Sequence, residues 1–353
     1  MKKTKLISML VVTVLLGFLL TACGNRASSE RKVILSPVKK TEFLLGTVIS
    51  LQVYHEDTEE IIDQAFQMVK DLEARITVNQ AGSEVDQVND SSGIAPVKVS
   101  PEIFQLIQDG LLYSKESQGS FDITVGPLVN LWRIGFDDAR KPSQEEIDQT
   151  LPLVDYSKVE VNEVDSTVYL PVKGMKLDLG GIAKGYIADK IWALFKENNI
   201  STAVIDLGGN IVVMGGSPAR DGVAWNVGIQ DPFQVRGTTI GAILEKDMSL
   251  VTSGIYERYL EVDGKTYHHI LNPKTGYPYD NDIAGVSIIV NNSTRGDALS
   301  TTVFSLGLEA GLAYLNKESN VSGIIVTKEN GVYLTDDIKD TFTLTNDAFT
   351  LKN

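Results

Sequence analysis

The sequence predicts an α+β fold with a mixed, largely antiparallel sheet and flanking helices. Strand-like and helix-like segments alternate irregularly, whereas a doubly wound parallel sheet requires regular alternation. In addition, the strand-like segments 257–262 and 265–270 flank Asp263-Gly264, a dipeptide typical of tight hairpin turns. The chain of 353 residues has no internal repeat and no low-complexity linker after residue 37, so we expect a single domain over residues 38–353.

The first residues predict export. Lys2, Lys3 and Lys5 precede an apolar run over residues 6–20, and small residues follow it. A basic start, a short apolar core and small residues before a cleavage point are typical of a secretory signal peptide, here residues 1–22. The apolar run is short for a membrane span.

Cys23 predicts lipid anchoring. It ends the stretch Leu20-Thr-Ala-Cys23, which resembles the bacterial lipobox and implies cleavage before Cys23 and diacylglycerol on its sulfur. Cys23 is the only cysteine of the chain, so no internal disulfide accounts for it. A secreted protein with a free thiol is the alternative. The polar segment 23–37 predicts a flexible tether at the extracytoplasmic face of the cell membrane.

The chain is strongly acidic. Its formal net charge is −14, and loss of the signal peptide lowers it to −17 because three lysines leave with it. This charge argues against nucleic acid as a partner. A phosphate site must therefore be local, built from backbone N–H groups, a few cations or a metal.

Local patterns predict the elements of the N-terminal half. Residues 43–54 alternate and are rich in Val, Ile and Leu, which indicates a strand. Residues 58–76 carry apolar side chains at helical spacing, which indicates an amphipathic helix. Ser100-Pro101 is a typical helix start, and Gly119 ends that helix. A short capped helix over 143–151 and strands at 159–161 and 168–170 follow.

The stretch 176–195 predicts a ligand site. A short strand is expected at 175–179, Gly180 and Gly181 break it, and apolar residues then recur at helical spacing. A helix start offers unpaired N–H groups, glycines let a ligand approach them, and Lys184 adds a charge. These features suit a phosphate or diphosphate. A tight turn that serves only packing is the alternative, and this stretch alone favours neither.

The C-terminal half is predicted in the same way. A buried strand is expected at 202–207 and a helix from Thr294 to about Leu315. Further strands are expected at 225–230, 239–244, 250–252, 283–290, 323–327 and 332–334. Glycine-rich turns follow several of these strands, and such turns at strand ends are where ligand sites are built.

Asp297 and Thr301 lie four residues apart on the predicted helix, so they share a face. A carboxylate and a hydroxyl are hard oxygen ligands that suit Mg²⁺. The alternative is structural: Thr294 caps the helix and Asp297, in its first turn, is favoured by the helix dipole. Spacing alone favours this alternative.

Three histidines are present. His268 and His269 adjoin on a predicted strand, where successive side chains face opposite ways, so one can enter a site while the other packs. A histidine of near-neutral pKa suits a general base that activates a hydroxyl. His55 ends a strand and is assigned no role. The sequence has no Cys/His cluster for zinc, no G-x-S-x-G motif and no P-loop.

Together these motifs resemble the ApbE family of FAD:protein FMN transferases, over nearly all of the chain after the tether. The matching segments are Leu45-Gly-Thr47, Gly119-Ser-Phe-Asp-Ile-Thr-Val-Gly-Pro-Leu128, Asp178-Leu-Gly-Gly-Ile-Ala-Lys-Gly-Tyr186, Asp206-Leu-Gly-Gly209, Thr252-Ser-Gly254, His269-Ile-Leu-Asn-Pro-Lys-Thr-Gly276 and Asp297-Ala-Leu-Ser-Thr301. One departure is Leu45, where the family usually has Met. Leucine can pack similarly against a flavin or adenine ring.

The resemblance implies which residues form the site. It implies FAD contacts from Leu45, Asn79, Ser120, Phe121, Asp122, Asp178, Lys184 and His269. It implies Mg²⁺ bound by the Asp297 carboxylate, the Thr301 hydroxyl and the Gly181 carbonyl, which favours the metal role of Asp297 over the capping role. His269 is the first candidate for the general base, and Asp178 is the second.

The implied reaction is transfer of FMN from FAD to a Thr or Ser hydroxyl of an exported acceptor protein, with release of AMP. The resemblance implies an acceptor motif Asp-x-x-Gly-Ala-Thr/Ser, which this chain lacks, so we expect no self-modification. Two alternatives stay open. One is Mg²⁺-dependent hydrolysis of FAD to FMN and AMP, and the other is a non-catalytic flavin- or solute-binding lipoprotein.

Overall fold

The computed structural model describes residues 31–353. The predicted signal peptide, Cys23 and the first part of the tether lie outside this range. Within the range, no helix is both long and apolar enough to span a membrane. The strands are β1 Val33–Leu44, β2 Thr47–His55, β3 Val97–Lys98, β4 Glu160–Asn162, β5 Thr167–Tyr169, β6 Ala203–Leu207, β7 Ile211–Met214, β8 Trp225–Gln230, β9 Thr239–Glu245, β10 Met248–Gly254, β11 Tyr259–Val262, β12 Lys265–His268, β13 Ile283–Val290, β14 Val321–Thr327, β15 Gly331–Leu334, β16 Phe342–Leu344 and β17 Thr350–Leu351. The helices are α1 Glu59–Ile76, α2 Glu84–Asp90, α3 Pro101–Glu116, α4 Gly126–Trp132, α5 Gln144–Thr150, α6 Gly180–Glu197, α7 Ser293–Leu306 and α8 Leu308–Leu315.

The main sheet has nine strands in the order β1-β2-β6-β7-β10-β13-β14-β15-β17. Its neighbours pair antiparallel except β15 and β17, which pair parallel. The predicted α+β class with a mixed, largely antiparallel sheet is therefore confirmed. The predicted hairpin also forms, because Asp263 and Gly264 both adopt positive φ between β11 and β12.

Two layers cover the main sheet. On one face, α1, α3 and α6 pack over β2 and β6, and α7 packs over β10 and β13. On the other face, the three-stranded sheet β16-β9-β8 closes a second core. Along β13, Ile288 belongs to the helix-side core and Ile289 to the other, as the alternation of a strand requires. Every residue of β13 is buried, so the metal-ligand candidates on α7 rest on a fully covered support.

The predicted strand 43–54 is wrong in its extent. The chain turns at Leu45 and Gly46, both at positive φ, and β1 pairs antiparallel with β2. Leucine rarely adopts positive φ, so sequence rules did not mark a turn here. Pairing with β2 also brings residues 33–37 into β1, and the predicted tether overlaps this strand by those five residues.

Two further boundaries differ from the prediction. Residues 175–179 form no strand and make a single parallel bridge, between Lys176 and Val125. The predicted helix 294–315 is interrupted at Gly307, whose φ of 77° lies outside the helical region and separates α7 from α8.

Candidate active site

The turn before α6 presents exposed backbone. The Asp178 N–H donates to the Ile123 carbonyl at 2.8 Å, and the Asp178 carboxylate accepts the Gly180 N–H at 2.8 Å. Gly180 and Gly181 are exposed, and a Cβ at Gly181 would lie 3.0 Å from the Phe121 ring. The glycines therefore keep the helix start open to a ligand, with the phenyl ring beside it.

Helices α6 and α7 meet closely at Gly185. A Cβ at this position would lie 2.2 Å from the Ser293 carbonyl oxygen, so only glycine fits. The Gly185 N–H donates to Oδ2 of Asp297 at 2.5 Å. The Asp297 side chain, four residues from half-buried Thr301 on α7, is thereby aimed at the first turns of α6.

The capping interpretation of Asp297 is wrong. The N-cap of α7 is Asn292, whose side-chain oxygen accepts the Arg295 N–H at 2.7 Å. Thr294 lies inside the helix, and its hydroxyl donates to Asp189 of α6 at 2.6 Å. The Asp297 carboxylate is thus free of its own helix terminus.

Asn210 is the second partner of Asp297. Its Nδ2 donates to Oδ1 of Asp297 at 2.7 Å, and its own Oδ1 is buried and, among the described residues, has no hydrogen-bond partner. A buried amide oxygen without a donor is unfavourable, and a cation would satisfy it. Burial raises the pKa of Asp297 to about 6, and the charge of Lys184 is the largest of the opposing effects.

The Asp297 carboxylate and the Asn210 amide oxygen are of the kind that binds Mg²⁺. Within the part of the chain that the structure describes, no group of three or more His, Cys, Asp and Glu side chains could hold a metal. A cation bound by these residues would therefore have at most two such side chains as ligands and would need carbonyl, hydroxyl or amide oxygens as well. Mg²⁺ takes such hard ligands, uses few protein groups and keeps substrate phosphate oxygens.

His269 lies within the electrostatic influence of two cations, Arg258 and Lys184. Its ring Nδ1 lies 3.3 Å from the Arg258 carbonyl oxygen, and because a carbonyl can only accept, Nδ1 carries the proton and Nε2 a lone pair. Burial, then the positive charge of Arg258, lowers the pKa of His269 to about 3, with further contributions from His268 and Lys184. His269 is therefore neutral at pH 7.

His268 packs instead of facing the site. Its Nε2 lies 2.8 Å from the Tyr279 carbonyl oxygen, and its ring meets Phe304 edge-on at 5.3 Å between centroids. Burial lowers its pKa to about 4. The two adjacent histidines thus differ, as predicted, but not through strand alternation: β12 ends at His268, and His269 lies just beyond the strand, next to the Arg258 carbonyl.

Leu45, Asn79 and Ser120, three of the predicted FAD contacts, lie in three different loops. Leu45, in the β1–β2 turn, donates its N–H to the Glu73 carboxylate at 2.9 Å, and exposed Asn79 follows α1. The Ser120 carbonyl accepts the Tyr279 hydroxyl at 3.1 Å. Their contacts with FAD stay predictions.

Asp122 is turned inward. It is 7% exposed, and its carboxylate accepts the Thr124 N–H at 2.8 Å, the Thr124 hydroxyl at 2.6 Å and the Tyr156 N–H at 3.2 Å. This carboxylate fixes the loop that carries Ser120 and Phe121.

Sequence reasoning missed Asn210, Arg258 and Asp189. The signal for Asn210 was its position directly after the Gly208-Gly209 turn. Arg258 gave no signal, because its place is set by tertiary contacts: a Cβ at Gly135 would lie 2.7 Å from its Cδ, and one at Gly46 would lie 3.4 Å from its guanidinium. The Arg258 charge also opposes the rise that burial causes in the pKa of Asp178.

Comparison with known proteins gives consistent matches. The ApbE family model matches residues 45–325. The chain is 40% identical over 291 residues to the FAD:protein FMN transferase of Klebsiella pneumoniae, covering 82% of this chain and 89% of that protein. It is 33% identical over 346 residues to the FAD:protein FMN transferase of Treponema pallidum, covering 94% of each chain.

Solved structures agree in fold. The ApbE protein from Thermotoga maritima superposes with a TM-score of 0.78 at 30% identity, covering 86% of this chain and 98% of that chain. The flavin transferase ApbE from Vibrio cholerae superposes with a TM-score of 0.72 at 23% identity, covering 89% and 98%, a likeness of fold.

Proposed function

The chain belongs to the ApbE family, and on that premise we propose that it is a Mg²⁺-dependent FAD:protein FMN transferase. It moves the FMN moiety of FAD to a Thr or Ser hydroxyl of an exported acceptor protein and releases AMP. The observation that carries the proposal is the hydrogen bond from the Gly185 N–H to Asp297. This bond connects α6, whose glycine-rich start is of the kind that binds phosphate, to a buried carboxylate on α7.

The metal would be held by the Asp297 carboxylate, the Thr301 hydroxyl and the Gly181 carbonyl. In a regular α-helix the Gly185 N–H would donate to the Gly181 carbonyl. A carbonyl oxygen has two lone pairs, so the Gly181 carbonyl can bind a cation in addition to that hydrogen bond. When bound, Mg²⁺ supplies neutralisation of the charge on the diphosphate oxygens.

Side chains and backbone of the protein would then orient FAD and balance the charge of its diphosphate. Lys184 and the exposed Gly180-Gly181 pair at the start of α6 would face the diphosphate. Phe121 and Leu45 offer apolar surface for a ring system. Transfer of a phosphoryl group depends on in-line positioning and electrostatic stabilisation rather than on covalent help from the protein.

His269 is the proposed general base. Its Nε2 lone pair takes the proton of the acceptor hydroxyl as the oxygen attacks the FMN-side phosphorus and AMP leaves. A pKa of about 3 is low for a base; burial is its main cause, and the positive charges of Arg258 and Lys184 lower it further. The negative diphosphate offsets these charges and raises the pKa when FAD binds. Asp178, whose pKa burial raises, is the second candidate.

We also propose that the enzyme acts at the extracytoplasmic face of the cell membrane, anchored by lipid on Cys23. The lipobox-like stretch ending at Cys23 and the lack of any other cysteine support this location.

One assay tests the function. The protein is mixed with FAD, Mg²⁺ and an acceptor protein that carries Asp-x-x-Gly-Ala-Thr. We expect a flavin-fluorescent acceptor band that survives denaturation, with AMP released in equal amount, and loss of both on chelation. An acceptor with Val in place of Thr should stay unlabelled, because it lacks the attacking oxygen. Undiminished AMP release without acceptor identifies an FAD hydrolase, and tight FAD binding with no AMP identifies a binding lipoprotein.

A further inference from the structure

The N-terminus of α7 is bound by a carboxylate from α6. Asp189 lies half-buried on α6 and accepts the Ser293 N–H at 2.8 Å and the Thr294 N–H at 2.9 Å. It also accepts the Thr294 hydroxyl at 2.6 Å and the Asn292 side-chain N–H at 3.0 Å. Four hydrogen bonds thus converge on one side chain of a neighbouring helix.

These bonds complete the cap of α7. Asn292 satisfies only the third N–H of the helix, that of Arg295, and its backbone carbonyl accepts the Gly296 N–H at 3.0 Å. The first two N–H groups would have no partner within the helix. The Asp189 carboxylate accepts both of these N–H groups, and its negative charge lies at the positive end of the helix dipole.

Asp189 and Gly185 lie four residues apart on α6 and face α7 together. Asp189 holds the first turn of α7, and Gly185 holds Asp297 in the next turn. Because there is no room for a Cβ at Gly185, the backbones of α6 and α7 are in direct contact at this residue. The pair therefore determines both the separation and the register of α6 and α7.

We propose that Asp189 is a positioning residue for the metal site: it holds α7 in the register that brings Asp297 and Thr301 to Gly181. This inference rests on the metal-dependent function proposed above. A slip of α7 by one residue would move its ligands about 1.5 Å along the axis, whereas metal–ligand distances tolerate about 0.2 Å. Without Asp189 the ligand oxygens lose their relative placement, although each side chain is still present.

The test measures metal binding without FAD or acceptor. Mn²⁺ is titrated into the full-length chain in detergent, and free Mn²⁺ is followed by its electron paramagnetic resonance signal. We expect Asp189→Ala to raise the Kd for Mn²⁺ by about 10- to 100-fold, the usual effect of removing a group that orients a metal ligand. In the transferase assay, the half-saturating Mg²⁺ concentration should rise likewise, with kcat largely recovered at saturating Mg²⁺.

Controls separate positioning from general destabilisation. Ser143→Ala removes the cap of α5, where the Ser143 hydroxyl accepts the Glu146 N–H, and should leave the Kd unchanged. Thr294→Val removes only the hydroxyl bond to Asp189, and should raise the Kd by a smaller factor than Asp189→Ala. If Asp189→Ala does not fold, Thr294→Val and Asp189→Asn decide, and wild-type Kd values in both overturn the proposal.

The failure of the inference is distinguishable from failure of the function. If the wild-type chain binds Mn²⁺, Asp297→Ala does not, and folded Asp189→Ala keeps the wild-type Kd, the positioning role is overturned and the metal site stands. If the wild-type chain binds no Mn²⁺, or Asp297→Ala binds it as well as wild type, the proposed metal site is wrong and the positioning role falls with it.

Discussion

The Asp297 carboxylate accepts the backbone N–H of Gly185 at 2.5 Å, across 112 residues of sequence. This hydrogen bond links helix α6, which carries Gly185, to helix α7, which carries Asp297. Gly185 lies in the second turn of α6, near the proposed diphosphate site, and Asp297 is the buried carboxylate of the proposed metal site.

Asp297→Ala should abolish transfer while the protein stays folded. The carboxylate is the only charged ligand of the proposed metal. Burial raises its pKa and so disfavours its ionised form, which offsets part of the stability lost when the Gly185 and Asn210 donors lose their acceptor. A helix-cap role would give the opposite pattern, a loss of about 1 kcal/mol with activity retained. Turnover and thermal unfolding measured on the same preparation decide between them.

Gly185→Ala should destabilise the protein and also weaken its binding of the metal. The new methyl group would lie 2.2 Å from the Ser293 carbonyl oxygen, so α6 and α7 must separate. We expect a loss of about 1–3 kcal/mol in the free energy of unfolding, typical of an overpacked contact. Gly285→Ala is the matched control, because its Cβ would meet nothing closer than 3.8 Å. Equal unfolding free energies for the two variants, by denaturant titration, would contradict the close helix contact.

His269→Ala should lower the transfer rate by roughly 10²- to 10⁴-fold, the usual contribution of a positioned proton acceptor. FAD affinity should change much less, since the ring acts on the acceptor hydroxyl. Single-turnover rates and FAD titration by fluorescence give the two quantities. If affinity collapses while the rate at saturating FAD holds, His269 is a binding residue and Asp178→Asn is the next variant to measure.

His268 should make the fold acid-sensitive. Its pKa is about 4 in the folded chain against about 6.5 when unfolded, so its contribution is complete above pH 6.5 and is lost as pH falls toward 4. In the neutral ring, Nδ1 accepts the Ile270 N–H. Protonation of His268 places a hydrogen on Nδ1, so this hydrogen bond is lost. The loss amounts to about 3 kcal/mol over this window. Urea titrations at pH 7 and pH 4.5 should show a smaller drop for His268→Gln than for wild type; equal drops would refute this role.

Cys23→Ser should release the protein into the medium or leave the precursor unprocessed. The prediction follows from the lipobox-like stretch, because serine cannot carry the thioether-linked lipid. Membrane fractionation and the size of the mature chain are the measurements. Normal processing with unchanged membrane association would show that another feature holds the protein there.

Local signals determined much of the site from sequence alone. The Gly180-Gly181 pair followed by helical spacing predicted the turn and the start of α6, because glycine and periodicity act within a few residues. The spacing of Asp297 and Thr301 placed both on one helix face for the same reason. The α+β class followed from irregular alternation and one hairpin turn, which are also short-range features.

Tertiary structure decided what those residues do. Asp297 does not cap its own helix, because its partners, Gly185 and Asn210, come from distant parts of the chain. The pKa of His269 is low because burial and Arg258, eleven residues away, act on it together. The turn at Leu45 forms against the preference of leucine because pairing of β1 with β2 outweighs it. Sequence patterns report local preference, whereas burial, charge and helix register depend on which distant groups the fold brings into contact.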